Sequence, residues 1–311
     1  MEKIIENVIL RYYKVKPIKT HDLGGGWYGR VFHVEINKEP YNVIIKIYLF
    51  PNIVGAEKEA IQLDTLSKYS LIKIPKIYHI NVLDNEIPND VLLMEYIKGF
   101  NAGRNDLNLT EENRKKIAEE IVNNLISYHK TINENGFGEI NSKVFEPNWN
   151  NYYRKKAEII IEKAKKMYKN EKIDDKIFNT MLRAFNNYEK IFYLPIETAR
   201  LIHGDYNTWN MLLNDNLNSV NAIIDPMNCS WADSEMDLFN LDHANGKYYG
   251  LFDLYSSKMK LSENYKIKMA FYELFSVIKS LYDADKDPSL EVEAINHGID
   301  ILNENMSIYG I

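Results

Sequence analysis

The segment LIHGDYNTWNMLL (201–213) places a His, a Gly, an Asp and two Asn inside a frame of Leu, Ile and Met. Its apolar ends predict that the segment runs into a core. A carboxylate at Asp205 and an amide at Asn210 are unexpected there, because burying an unpaired carboxylate is costly. Such groups are usually paired, bound to a metal or catalytic. The segment is therefore a candidate functional site.

Another carboxylate follows a short apolar strand in NAIIDPMN (221–228), where Asp225 comes directly after Ile224. Phosphoryl transfer needs an aspartate that accepts a hydroxyl proton, together with Asn and Asp oxygens that hold Mg²⁺. Asp205, Asn210 and Asp225 supply these residue types in that order. Such a reaction asks the protein mainly for positioning and charge neutralisation. The alternative, that both aspartates are ordinary turn residues, is disfavoured because several candidate sites occur together.

A glycine cluster near the N-terminus, LGGGWYGRV (23–31), has the spacing G-x-G-x-x-G. The spacing is formed by Gly24, Gly26 and Gly29, followed by Val31. Glycine clusters are often simple turns. A dinucleotide-binding fingerprint needs a helix directly after the glycines, whereas the alternating segment 28–36 predicts a strand. The order strand, glycines, strand favours a hairpin loop over phosphates, as in kinases.

A lysine, Lys46, lies in the next predicted strand, VIIKIY, fifteen residues after Val31. From there its ammonium would reach phosphates beneath the glycine loop, although a lysine in an apolar strand can also extend to the surface. A carboxylate is needed to hold that ammonium. Glu59 on the following predicted helix is the candidate, because leucines four and seven residues later bury the same side. Glu57 is the alternative, and it points to a different face.

The predicted secondary structure changes from mostly strands to mostly helices after Gly99. This predicts an α+β fold with two lobes, a small β-rich N-lobe (1–97) that binds nucleotide and a larger helical C-lobe (98–311). The junction is expected in MEYIKGFNAG (94–103). Helices are predicted at 111–130 with Thr110 as N-cap, at 150–169, at 174–190, at 263–284 with Ser262 as cap, and from Asp287-Pro288 onward.

The bulk composition is that of an ordinary globular chain, with 311 residues, 45% hydrophobic and 26% charged. The formal charge of −6 argues against nucleic acid or an anionic membrane as a partner. The single cysteine, Cys229, excludes an internal disulfide and fits a reducing compartment. No apolar run long enough to span a membrane occurs. We therefore expect a cytoplasmic protein, monomeric or homodimeric, that acts on small molecules.

Together these motifs resemble the aminoglycoside phosphotransferase-type kinases, which are small-molecule kinases with a protein-kinase-like fold. The similarity runs from about Leu23 to Leu241 and is strongest in LIHGDYNTWNML and IIDPMNCSWADSEMDLFNL. It implies ATP and Mg²⁺ as cofactors. It also implies roles for the motif residues, namely Asp205 as catalytic base, Asn210 and Asp225 as magnesium ligands, and Lys46 with Glu59 as the phosphate-binding ion pair.

The same resemblance implies a hinge in LLMEYIKG. There the Glu95 carbonyl and the Ile97 amide would contact adenine, with Met94 behind it. His203 would support the catalytic loop by hydrogen bonding, and Asp237 would brace that loop. These roles come from the resemblance alone.

The chain also departs from the family pattern. Ala232-Asp233-Ser234 stands where the family has Gly-Asp-Pro. H-G-D in place of H-R-D, D-P-M in place of D-F-G, and the short spacing from Asp225 to Asp237 argue against a protein kinase. The segments 133–140, 148–156 and 263–282 are loosely similar to the fructosamine-kinase branch, whose fuller motifs are missing.

The predicted function is transfer of the ATP γ-phosphate to a hydroxyl of a small, amine-bearing, sugar-like acceptor, either fructosamine-type or aminoglycoside. The acidic segments 231–243 and 282–293 are candidates for contacts with acceptor ammonium groups, or else they are solvated acidic faces. One alternative is a choline-type kinase, with an aromatic cage drawn from the 22 Tyr and 4 Trp. The other is a catalytically inactive nucleotide-binding module.

Overall fold

The computed structural model describes residues 1–51, 53, 55–308 and 310. The chain forms two compact units. The first comprises Met1–Asn124 and Thr208–Met227, and the second comprises Leu125–Asn207 and Asn228–Ile311. The predicted lobes, 1–97 and 98–311, were divided where strands give way to helices in the sequence, and their bounds stay a prediction.

The strands of the described residues are, in chain order, β1 (Pro17–Asp22), β2 (Gly29–Ile36), β3 (Asn42–Tyr48), β4 (Ile77–Asn81), β5 (Val91–Glu95), β6 (Phe100–Asn101), β7 (Ile132–Asn133), β8 (Gly138–Glu139), β9 (Ala199–Ile202), β10 (Met211–Leu213), β11 (Val220–Ile223) and β12 (Ser230–Ala232). The α-helices are α1 (Glu2–Tyr13), α2 (Ala56–Ser67), α3 (Glu111–Lys130), α4 (Trp149–Lys169), α5 (Asp175–Asn186), α6 (Tyr188–Ile191), α7 (Gly246–Tyr249), α8 (Leu251–Lys258), α9 (Tyr265–Asp283) and α10 (Val292–Ile308). Short 3-10 helices cover Thr208–Asn210, Ser234–Asp242 and Pro288–Glu291. The expected change from strands to helices is confirmed.

The first unit is built on an antiparallel sheet with strand order β1-β2-β3-β5-β4. Strand β2 alternates, so that Phe32, Val34 and Ile36 are buried on one face, as its sequence predicts. Helix α1 covers that face with Ile5 and Val8. Helix α2 packs on the opposite face, which carries Lys46. The sheet therefore has one purely apolar side and one side that mixes apolar and charged groups.

The N-terminal helix α1 was not predicted, because the first third of the chain reads mostly as strands. Helix α1 buries Ile5, Val8 and Ile9 at helical spacing, so the apolar period was present but short. By contrast, α3 has the predicted bounds, and the Thr110 hydroxyl accepts the N–H of Asn113 at 3.1 Å. The N-cap and the long apolar period together made the bounds of α3 predictable from the sequence.

The second unit combines a small sheet, in the order β7-β9-β12-β8, with the helices that follow β8 in the chain. Its core is rich in aromatic rings from α4 and α9. Trp149 stacks on Tyr153 with ring centroids 5.2 Å apart, and the Trp149 indole N–H donates to the Tyr272 hydroxyl at 2.8 Å. These rings are fully buried. They fill the core and do not form a cage for a ligand.

The predicted cap at Ser262 is wrong. Helix α9 begins at Tyr265 with Asn264 as its N-cap residue. The Ser262 backbone N–H and hydroxyl donate instead to the two carboxylate oxygens of Glu235, at 2.6 and 2.7 Å. A charged acceptor from a distant part of the chain thus outcompetes the local cap. Among the described residues, no helix combines the length and the apolar character that crossing a membrane would require.

Candidate active site

The glycine loop joins β1 to β2, so the predicted order of strand, glycines, strand is confirmed. Backbone hydrogen bonds close the loop at its base. The Leu23 N–H donates to the Val31 carbonyl at 2.9 Å, and the Val31 N–H donates to the Gly24 carbonyl at 2.8 Å. Asp22 accepts the Gly24 N–H at 2.8 Å. Gly24 has φ +87°, a conformation that glycine adopts without strain.

The tightest position in this loop is Gly25, which the motif spacing did not single out. A Cβ atom there would lie 2.1 Å from the Gly29 carbonyl oxygen, so only glycine fits. A Cβ at Gly29 would lie 2.8 Å from the Ile47 carbonyl oxygen. At Gly26, which the spacing did select, such an atom would have no described residue beyond its chain neighbours within 4 Å. The signal available in the sequence was the run of three consecutive glycines, of which Gly25 is the middle one.

Three predicted nucleotide residues share one face of the sheet. Lys46 on β3 lies opposite Val31 on β2 and opposite Leu92 on β5. Directly opposed residues project from the same face of a sheet. Met94 lies opposite Ile44 in the same ladder and packs in the cluster that α2 covers. The pairing thus brings Val31, Lys46 and Met94 to the side of the sheet that α2 covers.

The ammonium of Lys46 lies between two carboxylates. Its Nζ is 2.7 Å from Glu59 Oε2 and 2.5 Å from Asp225 Oδ1. Lys46 is only 8% exposed and Glu59 only 1%, so the lysine turns inward and does not reach the surface. Glu57, the alternative partner, is exposed. The structure therefore forms the predicted Lys46–Glu59 pair and adds Asp225 to it.

The electrostatics of this cluster are those of tightly coupled buried charges. Burial alone would lower the pKa of Lys46, but Asp225 and Glu59 outweigh it, so the pKa lies above its ordinary value. Burial raises the pKa of Glu59, while the nearby ammonium opposes that rise. The lysine therefore stays charged over the whole physiological range. A permanently charged ammonium suits contact with phosphate oxygens.

Tyr48 is a member of this cluster that sequence reasoning missed. Its hydroxyl donates to Glu59 Oε2 at 2.7 Å, and its ring centroid is 5.6 Å from the Lys46 Nζ. The side chain is fully buried. Burial and the adjacent Glu59 carboxylate hold the pKa of the phenol well above its usual value. The only signal in the sequence was its position two residues after Lys46, which puts both on one face.

The predicted metal ligands Asn210 and Asp225 lie at the same end of a short hairpin. Strands β10 and β11 pair antiparallel with Met211 opposite Ile223, and the Ile224 N–H donates to the Asn210 carbonyl at 2.9 Å. This pairing places the residue before β10 beside the residues after β11.

Asp225 has φ +56°, a left-handed conformation that Asp tolerates better than most residues. Its side chain is 44% exposed, whereas Asn210 is buried. Among the described residues, no cluster of three or more His, Cys, Asp or Glu side chains is arranged for a metal ion. The carboxylate and amide pair is instead of the type that Mg²⁺ uses together with phosphate oxygens.

The predicted hinge follows from β5. The Glu95 N–H donates to the Lys76 carbonyl at 2.8 Å, and the Glu95 carboxylate lies 2.5 Å from the Lys73 ammonium. Ile97 is half-buried. Tyr96, which sequence reasoning did not single out, stacks on His33 of β2 with ring centroids 3.9 Å apart. The stack ties the hinge segment to the glycine hairpin, and the contacts of Glu95, Ile97 and Met94 with adenine stay a prediction.

In the second unit, the loop that carries Asp205 is held from beneath by Asp237. The Asp237 carboxylate accepts the backbone N–H groups of His203 at 2.8 Å and of Gly204 at 2.7 Å. The Asp205 N–H donates to His203 Nδ1 at 3.3 Å, and the Asn207 amide donates to Asp205 Oδ1 at 2.6 Å. The expected supporting contacts of His203 and Asp237 are confirmed. Together they fix the orientation of the half-buried Asp205.

Ala232-Asp233-Ser234, which stands where the family has Gly-Asp-Pro, takes part in a buried hydrogen-bond network through Asp233. Asp233 accepts from the Lys268 ammonium at 2.8 Å and from the Tyr272 hydroxyl at 2.7 Å. It also caps the 3-10 helix Ser234–Asp242 by accepting the Glu235 N–H at 3.1 Å. The start of the helix that carries Asp237 is therefore held by charged hydrogen bonds.

Most carboxylates of the acidic segments 231–243 and 282–293 already make hydrogen bonds or ion pairs within the protein. Asp233, Glu235 and Asp237 hold the contacts described above, and Asp283 and Asp285 pair with lysines. Two others differ. Asp242 and Glu291 are half-buried, and neither makes a hydrogen bond or an ion pair with any described residue.

The imidazole of His243 is the electrostatic neighbour that these groups share. Its Nε2 is 2.8 Å from Glu273 Oε1. Burial opposes its charged form, but Glu273, Asp205 and Glu291 outweigh burial and raise the pKa of His243. Burial also raises the pKa of Asp242 and of Glu291. Lys247 and His243 oppose the shift at Asp242, and His243 opposes the shift at Glu291. Asp205, Asp242 and Glu291 thus act on one imidazole of the second unit.

Comparison with known proteins places these features in context. A match to the phosphotransferase enzyme family (APH) spans residues 19–245. YcbJ, an uncharacterized protein of Escherichia coli strain K12, is 21% identical over 221 residues, which cover 71% of this chain and 73% of that protein.

Solved structures show the same fold. A provisionally assigned fructosamine-3-kinase from Haemophilus somnus 129PT has a TM-score of 0.68 at 16% identity, covering 94% of this chain and 96% of that one. A thermostable mutant of the aminoglycoside phosphotransferase APH(4)-Ia has a TM-score of 0.70 at 12% identity, covering 97% of this chain and 99% of that one. The predicted kinase-like α+β fold is therefore confirmed.

The family match runs from β1 to just past the 3-10 helix that holds Asp237. It takes in every predicted catalytic, nucleotide and metal residue. The resemblance inferred from the motifs is thereby confirmed, together with the expectation of an enzyme that transfers phosphoryl groups. On this evidence the chain belongs to the phosphotransferase enzyme family.

Proposed function

We propose that this chain is an ATP- and Mg²⁺-dependent kinase that phosphorylates a hydroxyl of a small, amine-bearing acceptor. The observation that carries the proposal is the buried ammonium of Lys46, held 2.7 Å from Glu59 and 2.5 Å from Asp225. An ion triad of this kind costs desolvation energy. A site for an anionic ligand and its metal explains why such a group is placed beside a glycine hairpin.

On the nucleotide side, Lys46 would contact phosphate oxygens, and the glycine loop would cover them with backbone N–H groups. Asn210 and Asp225 would hold Mg²⁺, which neutralises charge on the transferring phosphoryl group when bound. Two relatives of known structure support nucleotide binding. APH(4)-Ia was solved with AMP-PNP and hygromycin B, and APH(2″)-IIia was solved with GDP and kanamycin. Because one of these holds GDP, both ATP and GTP belong in the assay.

On the acceptor side, Asp205 would orient the hydroxyl and take its proton. The acceptor oxygen forms a bond to the γ-phosphorus, the bond from that phosphorus to the β-γ bridging oxygen breaks, and the hydroxyl proton ends on Asp205. The contacts from Asp237 and Asn207 support this role because they fix the loop before substrate arrives. Positioning, more than base strength, would account for most of the rate enhancement.

The unpartnered carboxylates Asp242 and Glu291 support an amine-bearing acceptor. Both are half-buried in the same unit as Asp205, and both interact electrostatically with His243. A partly desolvated carboxylate without a protein partner is stabilised by a ligand cation. This favours an ammonium group on the acceptor. The aromatic cage of a choline-type kinase receives no such support, since Trp149 and Tyr272 are buried in the core.

The test is release of ADP or GDP from the magnesium nucleotide in the presence of ketoamines, aminoglycosides, choline and neutral sugars. We expect turnover with an amine-bearing sugar, and we expect that turnover to vanish in Asp205→Asn. Nucleotide binding without turnover on any acceptor would favour the inactive module. Turnover on choline alone would favour the choline-type kinase.

A further inference from the structure

The carboxylate of Glu59 is held in an unusual way. One oxygen, Oε2, accepts from both the Lys46 ammonium and the Tyr48 hydroxyl, each at 2.7 Å. The other oxygen, Oε1, is buried and has no hydrogen-bond partner among the described residues. Both donors lie on β3 and the acceptor lies on α2. The Tyr48 hydroxyl is therefore the only uncharged donor to this carboxylate in the described part of the chain.

The two carboxylates beside Lys46 differ in how firmly they are held. Asp225 has a 44% exposed side chain in a loop, whereas Glu59 is 1% exposed on a helix. A carboxylate with one unbonded oxygen can rotate about its last side-chain bond unless a second donor fixes it. Tyr48 supplies that donor, and its rigid ring is packed by the cluster that α2 covers.

We propose that Tyr48 is a positioning residue for the nucleotide site, whose hydroxyl fixes the Glu59 carboxylate and thereby presents Lys46 to phosphates. The proposal rests on the nucleotide role of Lys46 proposed above. Tyr48 itself touches no substrate. Its effect is expected on nucleotide binding and not on the acceptor, because the hydroxyl acts through Glu59 and Lys46.

The experiment compares Tyr48→Phe with Tyr13→Phe. Tyr13 is a matched control in the same unit, since it is also buried and its hydroxyl has no hydrogen-bond partner among the described residues. Loss of a hydrogen bond to a charged group predicts a Kd for magnesium ATP about 5- to 20-fold higher in Tyr48→Phe. Calorimetric titration measures it directly. Tyr13→Phe is expected to bind within about twofold of the wild type, since it loses no hydrogen bond.

Kinetics and a second variant separate positioning from general damage. In Tyr48→Phe we expect the KM for ATP to rise and the KM for the acceptor to stay constant. Adding Tyr48→Phe to Glu59→Gln is expected to weaken binding far less than it does in the wild type, because the two act as a unit.

Three results would overturn the inference. Equal ATP affinity in Tyr48→Phe and Tyr13→Phe overturns this inference and leaves the proposed function intact. A fully additive loss of ATP affinity in the double variant does the same. Absence of ATP binding by the wild-type chain overturns the proposed function as well.

Discussion

Two groups of carboxylates in this molecule contrast sharply. Around Lys46, in the first unit, Glu59 and Asp225 are paired with a buried ammonium at 2.7 and 2.5 Å. In the second unit, Asp242 and Glu291 are half-buried and have no described partner. The carboxylates of the first group have a counter-ion without any ligand. Their contacts with Lys46 link β3 to α2 and to the loop that follows β11. The second group carries a desolvation cost that nearby cations such as His243 offset only in part, and that a ligand cation can offset further.

Under the proposed function, this contrast suits the different needs of the nucleotide and the acceptor. A preformed ion cluster fixes geometry, as a phosphate site requires. Carboxylates left without a partner give affinity for a cation instead. Variants in each group, and at the proposed base Asp205, should therefore fail in different ways.

The largest effect is expected at Asp205. Asp205→Asn removes the proton acceptor and keeps the shape, so kcat should fall by about 10³-fold or more, while the Kd for nucleotide stays nearly constant. Steady-state kinetics and calorimetric titration of nucleotide check this. A variant that retains more than a tenth of wild-type kcat would show that another group accepts the proton.

The next effect is expected at Lys46. Lys46→Met leaves Glu59 and Asp225 without their counter-ion, which predicts a loss of about 3–5 kcal/mol in the free energy of unfolding and severe loss of nucleotide binding. Chemical denaturation measures the first. Lys68→Met is the control, because the exposed pair of Lys68 with Asp64 at the C-terminal end of α2 is worth only about 0.5 kcal/mol. Equal destabilisation by both variants would contradict the assigned role of the triad.

A smaller effect is expected at the unpartnered carboxylates. Asp242→Asn or Glu291→Gln should raise the KM for an amine-bearing acceptor about tenfold, because a charge-assisted contact is lost. The KM for ATP and for a neutral sugar should stay constant. Asp285→Asn is the control, since Asp285 is exposed and paired with Lys172. An unchanged KM for the amine-bearing acceptor in both test variants would place ammonium recognition elsewhere.

The smallest effect is a pH dependence set by His243. Its pKa is raised, so the imidazole is protonated to a higher pH than usual and partly neutralises Asp242 and Glu291. As the pH rises through that pKa, the imidazolium is lost, and the acceptor KM should fall about two- to fivefold. Kinetics at several pH values measure this. His243→Gln should flatten the profile.

The same titration affects stability with a defined sign. A group whose folded pKa is raised stabilises the protein below its unfolded pKa, and that stabilisation is lost as the pH rises through the folded pKa. The His243–Glu273 contact should therefore strengthen the fold on the acid side of the transition. Denaturation of the wild type and of His243→Gln at matched pH values should show curves that converge at alkaline pH. Parallel curves would contradict the assignment.

The sequence predicted those parts of the site that rest on local pattern. The G-x-G-x-x-G spacing, the apolar period of α2 and the motif around Asp205 were sufficient to single out Lys46, Glu59 and the loop of Asp205, whereas the supporting roles of His203 and Asp237 came from the family resemblance. Roles that depend on a distant partner were missed. Tyr48 matters only because Glu59, eleven residues on, turns toward it, and Ser262 fails as a cap because Glu235 takes its hydroxyl. Gly25 becomes essential only once the loop closes onto Gly29.

The open space around Gly26 makes the glycine hairpin accessible to labelling. No other described residue has an atom within 4 Å of a Cβ at that position, its two chain neighbours aside, and its backbone is not left-handed. The single native thiol, Cys229, is buried, and burial holds its pKa well above the usual range, so it reacts slowly with thiol reagents. A Gly26→Cys variant would therefore carry one fluorescent or spin label in the glycine loop. The signal of that label would report nucleotide binding, and Cys229 would not have to be replaced first.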